Sequence, residues 1–179
     1  NLQSTGNPYD VAIEGEGFFQ VIMPDDGTIA YTRDGAFKKD SDGRLVTSEG
    51  YLLEPEITIP ENATEITVSA NGIVSATISG QVDPQELGQL ELVRFINPAG
   101  LENIGHNLLK ETSASGTPVI SNPGSDGAGT LVQQYLEMSN VQIVEEMVNM
   151  IVAQRAYEMN SKAITTSDEM LSQVAQLKR

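Results

Sequence analysis

The positions of glycine and proline divide this chain of 179 residues into two parts. All 16 glycines lie at or before Gly129 and all 8 prolines at or before Pro123, so the last 50 residues contain neither. Inside a helix, these two residues cost more free energy than any others. The C-terminal part can therefore form one long uninterrupted helix, whereas the earlier part must be built from short elements joined by turns.

Residues 9–110 are predicted to form a small antiparallel β domain. Short runs rich in β-branched and aromatic residues alternate there with turn signals such as Asp42-Gly43 and Asn71-Gly72. Where apolar and polar residues alternate, as at Ile57 and Ile59, the apolar side chains should face a core. The expected strands are residues 18–23, 28–32, 45–47, 51–53, 56–59, 65–68, 73–78 and 89–96.

Two segments are expected to connect this domain to the rest of the protein. Residues 1–8 are predicted to be a truncated N-terminal connector, because they contain the turn-forming residues Ser4 to Pro8. Residues 111–138 begin with a stretch rich in Ser, Thr, Gly and Pro, which favours an irregular connection. Residues 131–137 allow a returning strand or an early helical turn, and the composition favours the strand.

Residues 139–179 are predicted to form a long C-terminal helix. Ser139 followed by Gln142 is a capping box, in which each residue satisfies a free backbone N–H of the other. Lys178 and Arg179 place positive charge at the other end, where the helix dipole is negative. Such a helix would be about 55 Å long at about 1.5 Å per residue, so the sequence predicts that most of it projects from the β domain.

An apolar stripe runs along this predicted helix. Val141, Val152, Ala163 and Val174 repeat every eleven residues, a period that keeps a stripe nearly straight along a helix. We call the stripe the seam and predict that it is an assembly surface, because isolated amphipathic helices are marginally stable. The alternative is that the helix folds back on the β domain as ordinary core. The seam consists of Val141, Val144, Val148, Val152, Ala156, Met159, Ala163, Met170, Val174 and Leu177.

The charge of the chain argues against nucleic acid and anionic membrane as partners. The formal net charge is -15. Residues 141–179 carry four basic and five acidic groups, net -1, which leaves -14 for residues 1–140. Phosphates and anionic lipids would be repelled by such a surface. Membrane insertion is not expected either, because no apolar run reaches the roughly 18–20 residues that a spanning helix needs.

The sequence offers no convincing catalytic, metal-binding or cofactor-binding constellation. His106 is the only histidine and there is no cysteine, which excludes histidine triads and thiolate metal sites within one chain. The acidic turns around Asp26 and Asp42 lack the spacing of a calcium-binding EF-hand loop. Gly15-Glu16-Gly17 precedes a predicted strand, whereas phosphate-binding glycine loops precede a helix. The prediction is a non-enzymatic protein with no cofactor.

Four motifs, in order along the chain, resemble the flagellar rod and hook proteins. The first is residues 10–21 with Ala30-Tyr31-Thr32-Arg33-Asp34-Gly35, followed by Asn97-Pro98-Ala99-Gly100-Leu101 and Ser139-Asn140-Val141. The most specific is Gln154-Arg155-Ala156-Tyr157-Glu158-Met159-Asn160-Ser161-Lys162 with Asp168-Glu169-Met170-Leu171, which is similar to the terminal helix of distal-rod members. The resemblance covers essentially the whole chain.

The resemblance implies a structural subunit that self-assembles into a helical tube, the torque-transmitting drive shaft of the periplasm-spanning basal-body rod. It further implies an N-terminal helix, absent here, that pairs with the C-terminal one, and export by the flagellar type III apparatus. The implied partners are further copies of the chain, proximal-rod and hook proteins at the ends, and basal-body ring proteins outside. The alternatives are a proximal-rod or hook subunit and, in another class, a carbohydrate-binding or wall-lytic β module.

Overall fold

A computed structural model describes residues 2–24, 27–81, 83–138 and 143–177, with helix side chains at 147–167, 169 and 170. The chain divides into two compact units, Asn1–Met138 and Ser139–Arg179. The first unit consists of short antiparallel strands, and the described part of the second is one helix. The predicted class, mainly β with one long C-terminal helix, is therefore confirmed.

The β unit contains sixteen described strands and one short 3-10 turn at Pro98–Gly100. Most strands have only three or four residues, as expected where turn-forming residues recur every few positions. In chain order they are β1 (Leu2–Ser4), β2 (Val11–Glu14), β3 (Phe19–Ile22), β4 (Ile29–Thr32), β5 (Phe37–Lys39), β6 (Leu45–Thr47), β7 (Leu52–Glu54), β8 (Ala63–Val68), β9 (Ile73–Ile78), β10 (Gln85–Gln89), β11 (Leu92–Arg94), β12 (Glu102–Gly105), β13 (Leu108–Lys110), β14 (Val119–Ser121), β15 (Thr130–Gln133) and β16 (Tyr135–Glu137).

These strands pair in five antiparallel groups. The largest is a seven-stranded sheet in the order β12-β13-β4-β3-β7-β6-β5, and a second sheet has the order β10-β9-β8. Three two-stranded ribbons complete the unit, namely β11-β14, β15-β2 and β1-β16. In two of these ribbons, strands near the beginning of the unit pair with strands near its end, so the β unit is closed by long-range contacts.

Two adjacent phenylalanines, Phe18 just before β3 and Phe19 at its start, supply two separate hydrophobic clusters. Phe19 lies in the main core, where its ring meets Phe37 edge to face with 5.0 Å between centroids. Phe18 lies in a smaller cluster with Tyr31, Val93 and Phe95. Successive residues of an extended chain point to opposite faces, so one strand can contribute to both clusters.

Several predicted strands are confirmed with small shifts at their ends, but residues 56–59 do not form the expected strand. Ile57 and Ile59 are buried, as their alternation predicted, and Thr58 makes one isolated bridge to Arg44. Pro55 and Pro60 flank this segment, and proline cannot donate a ladder hydrogen bond. The expected single strand over residues 89–96 is instead divided between β10 and β11.

The compact β unit extends beyond the predicted domain of residues 9–110 at both ends of the sequence. The expected connector at residues 111–138 contains β14, β15 and β16, and its residues Ala128 and Leu131 belong to the main core. The favoured returning strand is present as β15 and β16. The expected N-terminal connector contains β1, which pairs with β16. Local composition does not report these pairings because the partners lie far apart in sequence.

The second unit contains helix α1, Ile143–Leu177, with 35 residues. At about 1.5 Å per residue it is about 52 Å long. The absence of glycine and proline explains why it is continuous. The predicted capping box at Ser139 and Gln142 and the terminal charges Lys178 and Arg179 lie outside the described residues.

Candidate assembly helix and the loops that anchor the β unit

Helix α1 has every described side chain exposed. Its threonines satisfy their own hydroxyl groups: Thr165 Oγ1 donates to Ser161 and Lys162 carbonyls, and Thr166 Oγ1 donates to the Lys162 carbonyl. These hydroxyl groups therefore form their hydrogen bonds with carbonyls of the same helix. What distinguishes the helix surface is therefore its exposed apolar side chains.

The structure places the described seam residues on one side of α1. At about 100° per residue, Val148, Val152, Ala156, Met159, Ala163 and Met170 span an arc of about 80°. The four larger ones are between 52% and 71% exposed. Val141 lies outside the described residues, as do the side chains of Val144, Val174 and Leu177. Six seam residues thus form an exposed apolar stripe, with Thr166 on the same arc between Ala163 and Met170.

A second apolar stripe on α1 was missed by the sequence analysis. Met150, Tyr157 and Ile164 are between 63% and 77% exposed and lie about 140° around the helix from the centre of the seam. The detectable signal was a seven-residue spacing, because Ile143, Met150, Tyr157, Ile164 and Leu171 follow one another at that interval. A seven-residue period favours a left-handed supercoil with another helix, unlike the eleven-residue period of the seam.

In the β unit, the motif Thr32-Arg33-Asp34-Gly35 forms a tight loop after β4. Thr32 is buried, and its Oγ1 accepts the Asp34 N–H at 3.0 Å. Asp34 Oδ1 in turn accepts the Ala36 N–H at 3.0 Å. Gly35 approaches β2 so closely that a Cβ built there would lie 1.7 Å from the Val11 carbonyl oxygen. The motif is therefore a structural anchor between β4 and β2.

Arg33 within this loop reaches three parts of the β unit. Its terminal nitrogens donate to the Gly15 carbonyl at 3.1 Å, and one of them also donates to the Gly17 carbonyl at 3.3 Å. Its Nε donates to Glu137 Oε2 at 2.9 Å. The Gly15-Glu16-Gly17 segment, which superficially resembles a phosphate loop, thus offers its carbonyls to an arginine.

Two neighbouring glutamines hold the base of the β1-β16 ribbon. The Gln133 side chain donates to the carbonyls of Pro8 and Ile66, both at 2.8 Å, and accepts the Val68 N–H at 3.1 Å. It thereby joins β15 to the edge of β8. Gln134 adopts a left-handed backbone with φ of 65°, and its N–H donates to the Asp10 carbonyl at 2.7 Å. Neither role could be inferred from the amino-acid type alone.

The acidic turn at Asp40 is a structural feature of the β5-β6 hairpin. Its Oδ1 accepts the backbone N–H groups of Asp42 and Arg44, and its Oδ2 accepts the Arg44 side chain at 2.9 Å. Burial raises the pKa of the Asp40 carboxyl, but these hydrogen bonds and the Arg44 charge outweigh it and lower the pKa overall. The hydrogen bond to Asp40 is also the main cause of the raised pKa of Arg44.

The remaining titratable groups form no recognisable reaction centre among the described residues. His106 lies at φ of 53° in the exposed turn between β12 and β13. Burial, together with the charge of Glu111, raises the pKa of Tyr31, whose ring packs on Phe95. Within the described residues, no three His, Cys, Asp or Glu side chains come together as a metal site. The helix described here is not apolar enough to span a membrane.

A strand-rich unit carrying a long helix with exposed apolar stripes has the features of a structural assembly protein. Two family comparisons agree with this class. Residues 12–76 match the family "Flagellar hook protein FlgE/F/G D1 domain", and residues 132–177 match "Flagellar basal body rod FlgEFG protein C-terminal". The two matches cover most of the β unit's first half and the whole of α1.

Individual relatives extend the similarity to nearly the whole chain. The flagellar basal-body rod protein FlgG of Borreliella burgdorferi is 59% identical over 180 residues, covering 99% of this chain and 68% of the relative. That of Buchnera aphidicola from Schizaphis graminum is 55% identical over 177 residues, with the same coverage. The chain belongs to the FlgE/F/G family of flagellar hook and basal-body rod proteins.

Proposed function

We propose that this chain is a structural subunit of the flagellar distal rod, which self-assembles into a helical tubular drive shaft and transmits torque across the periplasm. The observation that carries the proposal is the near-complete match to FlgG rod proteins, which includes α1. The hook protein of Caulobacter vibrioides matches at 37% identity over 66% of the chain and 20% of its own length. The rod is therefore the better-supported assignment.

The exposed seam supports self-assembly. Burying a Val or Met side chain contributes about 1.5–3 kcal/mol, so the four larger described seam residues offer a substantial gain if another helix covers them. The alanines at 156 and 163 would let that helix approach closely. A helix that remained alone in water would be marginally stable. We therefore propose the seam as the inner assembly surface of the rod.

The ends of the β unit fit a helix pair. Leu2 lies opposite Glu137 in the β1-β16 ribbon, so in a longer chain a segment preceding Leu2 would start beside the connection to α1. The N-terminal helix implied by the resemblance could then pack on the seam. The second stripe at Met150, Tyr157 and Ile164 would remain for neighbouring subunits. Heterologous contacts of this kind, repeated around an axis, generate a tube.

The charge distribution favours the β unit as the outer layer. Net charge is -1 for residues 141–179 and -14 for residues 1–140, so repulsion between copies is concentrated in the β unit. An acidic outer surface would rotate inside the surrounding basal-body rings and make few attractive contacts with them. At its two ends, the shaft would meet proximal-rod and hook proteins. These partners follow from the family assignment and are part of the proposal.

Electron microscopy of the purified full-length protein tests the proposal. We expect tubes with a regular helical lattice, because the helices supply the heterologous contacts. A wall-digestion assay on the same preparation addresses the alternative of a lytic or carbohydrate-binding module. A preparation that stays monomeric at high concentration and digests cell wall would overturn the structural assignment.

A further inference from the structure

The β1-β16 ribbon is the part of the β unit nearest in sequence to α1. It has three residue pairs, Leu2 with Glu137, Gln3 with Leu136 and Ser4 with Tyr135, and most of its residues are exposed. β16 ends at Glu137, and α1 begins at Ile143. Because a short two-stranded ribbon is marginally stable in water, its orientation depends on what holds it to the remaining strands.

The ribbon is held at its base by main-chain hydrogen bonds. The Gln134 N–H donates to the Asp10 carbonyl at 2.7 Å, which joins the ribbon to the residue before β2. The Thr5 N–H donates to the Gln134 carbonyl at 2.9 Å and joins the two strands of the ribbon to each other. Both bonds lie at one end of the ribbon. β16 also lies close to β2. The contact at the far end of the ribbon adds a further constraint on its direction.

At that other end, the carboxylate of Glu137 accepts a hydrogen bond from Arg33 Nε at 2.9 Å. The guanidinium is itself fixed, because its terminal nitrogens donate to the carbonyls of Gly15 and Gly17. The guanidinium carbon, Cζ of Arg33, lies 5.9 Å from the centre of the Phe18 ring, within the range of a cation–π contact. Phe18 is buried in the smaller hydrophobic cluster.

These contacts suit arginine specifically. A guanidinium is planar and presents donors in several fixed directions, whereas a lysine ammonium is a single point charge on a flexible stem. Arg33 can thus bond two carbonyls of the loop before β3 and still direct Nε at Glu137. The backbone at Gly15 and Gly17, with φ of 120° and 141°, lies in a region that other residues rarely adopt.

We propose that Arg33 is a positioning residue that clamps the outer end of the β1-β16 ribbon to the body of the β unit. It thereby fixes the direction of β16 at its last residue, Glu137. If the protein acts as a rod subunit, as proposed above, torque passes between the helix and the β unit through this ribbon. The clamp then makes that connection stiff. The mechanical part of the inference rests on the proposed function, and the clamp itself does not.

Hydrogen exchange on the chain of 179 residues tests the clamp without any assembly. Glu137→Gln removes the charge but leaves Arg33 in place, and we expect peptides covering residues 2–5 and 135–137 to exchange about three- to tenfold faster. Arg33→Lys should have a similar effect, because lysine cannot bond both sides at once. Peptides of β8 and β9, as well as the global unfolding midpoint, should stay unchanged with Glu137→Gln.

Arg44→Lys is the matched control, since Arg44 is a similarly exposed arginine that pairs within the β5-β6 hairpin instead. It should leave ribbon exchange unchanged. Unaltered ribbon exchange in both Glu137→Gln and Arg33→Lys would overturn the clamp. Faster exchange throughout the β unit would also overturn it, because that result indicates a general contribution to stability.

The mechanical consequence is measured on tubes of the full-length protein. Glu137→Gln tubes should keep the wild-type lattice but show a lower bending stiffness, measured from their curvature by electron microscopy. Unchanged stiffness combined with faster ribbon exchange would contradict a role in torque transmission. If the wild-type protein forms no tubes, the proposed function fails while the exchange result still decides the clamp.

Discussion

At two positions in the β unit, the backbone geometry decides which residue fits. Gly35 has no room for a Cβ because the Val11 carbonyl lies where that atom would be. Gln134 adopts φ of 65°, a conformation that costs most L-residues about 1–2 kcal/mol. The first position uses the residue that its geometry requires, whereas the second does not.

Gln134→Gly is expected to stabilise the β unit. Glycine avoids the cost of the left-handed conformation but loses more chain entropy on folding, so the net gain should be about 0.5–1 kcal/mol. The same substitution at the neighbouring Gln133 should destabilise by about 1–3 kcal/mol, because three backbone groups lose a partner. Urea denaturation of both variants measures the difference, and equal effects at the two positions would contradict this account.

Asp40→Asn is expected to destabilise the protein in a pH-dependent way. A carboxyl whose pKa is lowered by folding stabilises the protein above its unfolded pKa of about 4, and this contribution is lost as the pH falls through the lower folded value. The stability difference between wild type and variant should therefore be present at neutral pH and shrink below about pH 4.

Chemical denaturation at several pH values measures this difference. Arg44→Gln serves as a second variant, because it removes the cation but retains the backbone N–H that Asp40 accepts. It should weaken the pH-dependent part without abolishing it. A difference between wild type and Asp40→Asn that stays constant from neutral to acidic pH would show that the carboxylate charge is not responsible.

At the scale of elements, strong local patterns predicted the structure and weak ones did not. β6 and β9 were predicted with their observed bounds because short runs rich in β-branched residues lie between clear turns. β12, with the sequence Glu-Asn-Ile-Gly, has a loop-like composition, and β14 has only three residues within a stretch rich in Ser, Gly and Pro. The long helix was predicted because no residue in it opposes helix formation.

In helix α1, the expected eleven-residue period accounts for only one of the apolar faces. The eleven-residue seam was recognised from its valines, and its described members are exposed as a stripe. The stripe at Met150, Tyr157 and Ile164 was overlooked because its side chains differ in type and lie on another face. Two apolar faces reduce the contrast between the sides of the helix, so a search for one amphipathic face finds only part of the surface.

Val148→Asp and Ala156→Asp are expected to block tube formation while the β unit remains folded. A carboxylate placed in a helix interface would be buried without a partner, which costs several kcal/mol. Thr165→Asp is the matched control, because Thr165 lies on α1 about 100° or more from the nearest described seam residue. Circular dichroism reports the folded state, and electron microscopy reports assembly. Normal tubes from both seam variants would refute the seam as an interface.

At the scale of the whole molecule, the β unit depends on contacts between its two ends. β15 pairs with β2 through four residue pairs, from Thr130 with Glu14 to Gln133 with Val11, and Leu131 enters the main core. The domain predicted from the sequence ends at residue 110 because the following segment is rich in Ser, Gly and Pro. The pairing of β15 with β2 offsets the local preference for an irregular connection. Because the two strands lie far apart in sequence, no local pattern indicates this pairing.

Two fragments test where the folding unit ends. Residues 2–138 expressed alone should unfold cooperatively, because they include the whole compact unit. Residues 9–110, the originally predicted domain, should be poorly folded, because β2 loses β15 and the core loses Leu131. Thermal unfolding followed by calorimetry distinguishes the two. A cooperative transition in the shorter fragment would show that residues 111–138 are dispensable for folding.

Because Leu2 pairs with Glu137, the first and last strands of the β unit lie side by side. The β unit could therefore be replaced as a whole by another domain whose ends are equally close. An insertion or deletion within such a unit leaves its two ends side by side. The same junction offers a rational position for grafting a foreign domain onto an assembling helix.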